Sequence, residues 1–424
     1  MVDENLFLYD LAVVAIMKNE EPYVQEWIDY HLLAGVDHFF IYDNDSTPEF
    51  KKILQPYIDA GIVTYTFYPG KCRQMEAYAD AFKRFRFFCR YMAWIDADEF
   101  IFPKSKSTVT EIVDEIFKAY PKASGLAVNI HMFGSNNLKT ADYDVGVLER
   151  FTRRASDDWT PVLNWTKNPD SRGGSAAVST IANPRRLKFF PTPHAPVYFD
   201  GAGAVNEVGK VVYGFSNFPV TAEKIVMNHY HVKSYEEYKK KVLRGNADHF
   251  DNHYKLERFK ENDRNEIFDD GILNYVDSRL DALTSIDDLI NSKKINVDKL
   301  LKALNKNLSS KTFEGKVETF LTCLNLATFL KSLKLIDDAQ SRTFEQAALQ
   351  SLAESLKADV NFPAAHLLIS ELPKILSLSY SEVDEIRSQC LNKIENMMMT
   401  YRLNNLWQQF HELEFIGNLL TIKS

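Results

Sequence analysis

The stretch Cys89 to Pro103, CRYMAWIDADEFIFP, sets three carboxylates, Asp96, Asp98 and Glu99, between two apolar runs. The flanking YMAWI and FIF segments read as core, so these acids are expected to be at least partly buried. A buried carboxylate without a partner is costly. If the strand persists to Asp98, period-2 alternation puts Asp96 and Asp98 on one face and Ala97 on the other. Two or three oxygens converging on a strand end suit a hard divalent cation such as Mg²⁺ or Mn²⁺. The alternative is a set of turn-capping acids with no ligand.

Working outward, apolar runs of strand length alternate with helical spacing. LAVVAIM (11–17) reads as a buried strand, and EPYVQEWIDYHLLAG (21–35) as a helix that Gly35 stops. VDHFFIYD is a second strand. STPEFKKILQPYIDAG is a second helix, with Ser46 and Glu49 at capping-box spacing. IVTYTFY, RQMEAYADAFKRFRFFC and YMAWIDADEF follow as strand, helix and strand. This rhythm predicts a parallel α/β sheet, in which ligands bind beyond the carboxyl ends of the strands. Polar groups stand at three of those ends: Lys18-Asn19-Glu20, Asp43-Asn44-Asp45 and Asp96-Ala97-Asp98-Glu99. Asp43 is placed to accept from a ribose hydroxyl or a uracil N–H, with Lys18 and Asn19 beside the same nucleotide.

The chain of 424 residues carries a net charge of −8, which argues against broad nucleic-acid binding. The basic clusters NPRRLK and EEYKKKVLRG read as loop edges or solvated helix faces. Cys72, Cys89, Cys323 and Cys390 lack zinc spacing and read as free thiols of a reducing compartment. No apolar run reaches the roughly 20 residues needed to span a bilayer. Any membrane association is therefore expected to be peripheral.

From about 125 to 230 the texture changes to short strands with Gly, Pro and Asn. Here NHYHVKS (228–234) offers His229, His231 and Lys233. A neutral imidazole could complete a carboxylate metal site, and a Lys could meet a diphosphate. From about 280 the chain reads as almost purely helical, with Met397-Met398-Met399 as core filler.

Six blocks together resemble family 92 glycosyltransferases and their bacterial family-2-like relatives. They are KNEEPYVQEWIDYHLLAGVDHFFIYDNDS, QMEAYADAF, YMAWIDADEFIFP, FGSNN, VLERF and NHYHVKS, within roughly residues 10 to 250. The resemblance implies an α/β, GT-A type nucleotide-sugar-binding sheet over 1–280, with a nucleotide half (1–105) and an acceptor half (106–280). The all-α domain, 281–424, lies outside it. It further implies inverting transfer of a sugar, galactose as first guess, from a UDP-sugar to an oligosaccharide or lipid-linked saccharide of a cell-surface glycan. Asp96 and Asp98 match the DxD acids that hold Mn²⁺ or Mg²⁺, and His229 the late metal-binding His. Asp43 matches the nucleoside-contacting acid; Lys18, Asn19, Glu20, Gln74, Ala97 and Lys233 are expected beside it as further donor contacts.

For the catalytic base the expectation is Glu149 or Asp158, with Asp157 and Glu207 behind them; Glu149 is equally readable as a structural acid. Eukaryotic members carry a membrane anchor, and none is legible here, which points to a bacterial, cytoplasmic enzyme. The helical domain could support a homo-oligomer. Two other readings stay open: a non-catalytic carbohydrate- or protein-binding module, and a DxD phosphotransferase.

Overall fold

The computed structural model describes residues 6–163, 171–198, 203–245, 255–283, 285–307 and 313–355. The expectations for Cys390 and Met397–Met399 lie outside the described residues. The strands are β1 (Tyr9–Met17), β2 (His38–Asp43), β3 (Val63–Phe67), β4 (Cys89–Trp94), β5 (Glu99–Pro103), β6 (Gly125–Met132) and β7 (Arg153–Arg154). They continue as β8 (Val178–Ala182), β9 (Leu187–Phe189), β10 (Val197–Tyr198), β11 (Ala204–Val205), β12 (Val211–Val212), β13 (Ile225–His229) and β14 (Ile267–Phe268). The helices are α1 (Val24–Leu33), α2 (Pro48–Asp59), α3 (Gln74–Phe85), α4 (Val109–Ala119), α5 (Val147–Arg150) and α6 (Tyr235–Arg244). After them come α7 (Phe259–Asn262), α8 (Gly271–Leu280), α9 (Ile286–Ser292), α10 (Val297–Asn307), α11 (Phe313–Ser332) and α12 (Asp338–Ser355).

The main sheet runs β12-β11-β6-β8-β4-β1-β2-β3, and β13 joins it through β6 and carries β5. The expected parallel sheet is found in β4-β1-β2-β3. Beyond it the sheet is mixed, because β8 runs antiparallel to both β4 and β6. β1 and β2 are buried along nearly their whole length, as strands covered on both faces must be. Their unbroken apolar runs reflect that burial.

The helix starts partly depart from expectation. Ser46 and Glu49 form no capping box; Thr47 is the N-cap of α2, and the Ser46 hydroxyl instead accepts from the Asn19 N–H at 2.9 Å. Complete boxes stand at Thr108/Glu111 on α4 and Ser234/Glu237 on α6. Gly35 ends α1 at φ +99°, with Thr108 Cβ only 2.7 Å from where a Cβ would sit. Only glycine suits that conformation and that contact.

α1 is fixed by its polar-tipped aromatics. Trp27 Nε1 donates to Glu99 O at 2.8 Å, and Tyr30 Oη to Ile101 O at 2.8 Å. His31 Nε2 accepts from Ile101 N at 3.2 Å. Burial pushes the His31 imidazole down to about 3, so it stays neutral and able to accept.

Two compact units divide the chain: Tyr9–Ile295, and Asn296–Ser424 with Met1–Leu8. Residues 281–295, read from sequence as helical domain, cluster with the sheet. Leu289 and Ile290 pack on its core, and Lys293 pairs with Asp37. The two sequence halves share one sheet, since β6, β8, β11 and β13 come from the second. In the other unit α11 and α12 pack together around Phe320, Leu324 and Phe344, and Lys316 pairs with Glu354 at 3.1 Å. No described helix is long and apolar enough to cross a membrane.

Glu237 ties three elements of the first unit together. Its carboxylate caps α6 through Ser234, takes Arg150 of α5 in two 3.1 Å bonds, and accepts from Tyr23 Oη at 2.8 Å. Both members of the Arg150–Glu237 pair are buried. Glu237→Ala should cost about 3–5 kcal/mol, because it strands a buried guanidinium. Urea unfolding of the full chain measures this as a lowered midpoint; a loss under about 1 kcal/mol, the range of an exposed pair, would contradict it.

Candidate active site

The acidic stretch is a turn between two strands, not the end of one. β4 stops at Trp94, and the alternation expected for Asp96 and Asp98 does not occur. Glu99 N donates to Asp96 O at 3.1 Å, while Asp96 N donates to the Glu99 carboxylate at 3.2 Å. That carboxylate also accepts from the Ser179 hydroxyl at 3.2 Å. Glu99 therefore braces the turn from below and is not the third oxygen at its surface.

The end of β13 and the residues just after it deliver the histidines. The strand pairs antiparallel with β5 in a register that sets His229 opposite Glu99, and Tyr230 N donates to Asp98 O at 2.8 Å. His229 Nε2 lies 3.3 Å from Asp98 Oδ1, and its Nδ1 lies 3.8 Å from Glu99 Oε1. With His231 they form a cluster whose three donor atoms all lie within 4.8 Å of one another. A carboxylate and two imidazoles on one side of a cavity suit a divalent metal, so these residues fit Mn²⁺ or a similar ion. Glu99 adds negative charge behind His229, 3.8 Å from its Nδ1, beyond hydrogen-bond distance. Asp96, expected as a ligand, is not a member; it accepts from Gln74 Nε2 at 2.8 Å.

The electrostatics follow from this packing. Burial, then Glu99 and Asp98, push the Asp96 carboxyl up to about 7. Burial also presses on Asp98, but Lys241 and His229 overcome it and hold its carboxyl well below the usual range. Burial, then Lys241 and His229, keep His231 well below its ordinary value. It is thus neutral, as a ligand must be. Lys241 Nζ lies 2.7 Å from Asp98 Oδ2 and 3.2 Å from His231 Nδ1. Arg244, one turn on, pairs with Glu20 and donates to Lys18 O.

A cavity of about 390 Å³ opens over the cluster. Of the expected residues, Lys18, Glu20, Gln74, Asp96, Ala97, Asp98 and His229 line it. Asp43 does not: its carboxylate is taken by Tyr65 Oη at 2.6 Å and Ser46 N at 2.9 Å. Asn44 lines the wall instead, holding the following loop through Tyr68 O and Gly70 O. Asn19 and Lys233 line a second cavity of about 390 Å³, which shares Glu20, His231, Lys241 and Arg244 with the first. Glu149 and Asp158 are exposed and line neither. Asp157 is held by Arg154 at 2.7 Å, with His131 at 3.2 Å, and Glu207 accepts from the backbone N–H groups of 223–225.

Lys241 and Arg244 escape the sequence reading, because EEYKKKVLRG looks like a solvated helix face. Their i, i+3 spacing just after NHYHVKS is the signal, since such residues share one face.

A sheet whose parallel strands end at an acidic turn, with helices on its flanks, is consistent with a GT-A type glycosyltransferase fold. Residues 13–281 match the model of glycosyltransferase family 92, and the chain belongs to that family. A family 92 protein of Ricinus communis is 26% identical over 31% of this chain and 24% of its own length. One of Arabidopsis thaliana is 23% identical over 56% of this chain and 37% of its own. A galactan beta-1,4-galactosyltransferase, also of Arabidopsis thaliana, is 30% identical over 21% of this chain and 19% of its own. The chain thus spans only 19% to 37% of the length of these curated relatives.

Glu99→Gln should weaken Mn²⁺ binding about tenfold, the lower end for an outer-shell group, through loss of its charge behind His229. Asp96→Asn should change it far less. Calorimetric titration of Mn²⁺ into the folded variants reads both, and equal losses would refute the ligand assignment.

Proposed function

We propose that this protein is a metal-dependent, inverting glycosyltransferase that moves a sugar, galactose first among candidates, from a UDP-sugar to a saccharide acceptor. The observation that carries the reading is the cavity floored by Asp98, His229 and His231 and flanked by Lys241 and Arg244. It combines ligands for a divalent ion with cations that suit a diphosphate. Family membership supports sugar transfer, and the galactosyltransferase names of relatives favour galactose.

In the reaction the acceptor hydroxyl oxygen attacks the anomeric carbon and forms the new glycosidic bond. The bond from that carbon to the diphosphate breaks, its electron pair leaves with UDP, and the hydroxyl proton passes to a base. Mn²⁺ or Mg²⁺ held by Asp98, His229 and His231 would supply positive charge to the diphosphate. Lys241 and Arg244 add charge on the same side, fixed by α6 before substrate arrives. Asn44 and Gln74 line the cavity where donor orientation is set. Asp43 braces the second strand end from behind Asn44, and the base is not assigned to Glu149 or Asp158.

The test is UDP release and glycan product from UDP-galactose and other UDP-sugars, with and without Mn²⁺. Asp98→Ala should lower turnover at least about 100-fold with the fold intact by circular dichroism. Undiminished transfer by that variant, or transfer indifferent to chelation of divalent ions, would sink the reading.

A further inference from the structure

The second cavity contains a buried lysine that no carboxylate contacts directly. Lys233 is 7% exposed, sits at φ +51°, and places its ammonium 4.4 Å from the centroid of the Tyr23 ring. Among the described residues no carboxylate lies within ion-pair distance of it. The carboxylates whose charge reaches it, Asp98, Glu20, Glu237 and Glu26, lie beyond that distance and bond elsewhere: Asp98 to Lys241, Glu20 to Arg244, Glu237 to Arg150, and Glu26 to the backbone of Val147 and Leu148. A buried charge left in that state is costly, which is the condition a bound anion relieves.

The same cavity presents aromatic surface. Tyr23 and Tyr143 meet edge to face with centroids 6.0 Å apart, and Tyr143 Oη accepts from Lys240 Nζ at 3.1 Å. Tyrosine faces beside hydrogen-bonding groups suit the apolar faces and hydroxyls of a sugar ring. The cavity meets the first one at Glu20, His231, Lys241 and Arg244, which line both, so one member of the metal-ligand cluster faces it. Asp98 and His229 line only the first cavity, and Lys233, Tyr23 and Tyr143 only the second.

We infer that the second cavity is a subsite for an anionic saccharide, with Lys233 as the residue that meets its carboxylate or phosphate and the two tyrosines as the sugar platform. Its role as the acceptor subsite rests on the glycosyl-transfer reading above; its anion preference does not. In that role the acceptor carries its negative group one side of the Lys241 wall, while the reacting hydroxyl faces the donor cavity.

Calorimetry on the full chain tests this. The probes are trigalacturonate, its carboxyl-reduced neutral counterpart and a hexose phosphate, titrated into wild type, Lys233→Gln and Lys233→Arg. UDP with Mn²⁺ is titrated into the same proteins separately. Wild type should bind trigalacturonate at least about tenfold more tightly than the neutral trisaccharide, a gap of about 1.4 kcal/mol. Lys233→Gln should erase the gap and Lys233→Arg keep it, with UDP–Mn²⁺ affinity alike in all three. A hexose phosphate binding more tightly than trigalacturonate would assign the anion as phosphate. Equal wild-type affinity for all three saccharide probes would overturn the inference. So would a loss of UDP–Mn²⁺ affinity in Lys233→Gln as large as the loss for the anionic saccharide, since Lys233 would then serve the donor. Failure of wild type to bind UDP–Mn²⁺ would remove the donor reading and leave the saccharide comparison standing.

Discussion

Everything at the site depends on how β5 is satisfied along its two edges. One edge pairs with β13, while side chains of α1 meet backbone groups of Glu99 and Ile101 that β13 does not use. Buried backbone donors and acceptors must find partners, and here a helix supplies them where a strand would otherwise lie. That arrangement leaves the acidic turn before β5 at the end of the sheet, open to a cavity. It also sets the register that brings His229 beside Asp98 and Glu99. A slip of one residue in β13 would turn His229 to the opposite face and dissolve the cluster.

The second constraint is charge. Asp96, Asp98 and Glu99 crowd into four residues, and each is stabilised differently. Glu99 is consumed by the turn and Ser179, Asp98 by Lys241 and His229, and Asp96 by the Gln74 amide. The cations come from α6, whose position is set at its other end by the Glu237 bonds to Arg150, Tyr23 and Ser234. Helix start and helix cations thus act in series. The structural pair fixes the helix, and the helix presents Lys241 and Arg244 to the cavities.

Parts of this were legible in the residues. The β1 to β4 alternation, the acids at strand ends and the pair of histidines carry local signals, because burial on both faces and turn chemistry leave periodic marks. Asp43 shows the limit of such marks. A carboxylate at a strand end suits a nucleoside, but Tyr65 on the neighbouring strand claims it. Glu149 and Asp158 fail for the same reason in reverse: they lie in the loop-rich half, yet their packing points them to solvent. The mixed part of the sheet was equally hidden, since β8 is a short run whose antiparallel insertion depends on partners far away in sequence.

By itself the sequence determined that residues from about 10 to 280 build a sheet with helices, where the acids gather, and which family that pattern resembles. These are properties of periodicity, composition and local motif. Only the tertiary structure decided that Asp98 joins His229 and His231 while Asp96 stands apart, that Glu99 braces, and that Lys241 completes the corner. Those outcomes turn on strand register and on contacts between residues more than a hundred positions apart, such as Asp98 with Lys241. Distances of a few ångströms across such separations are fixed by packing, and no local pattern encodes them.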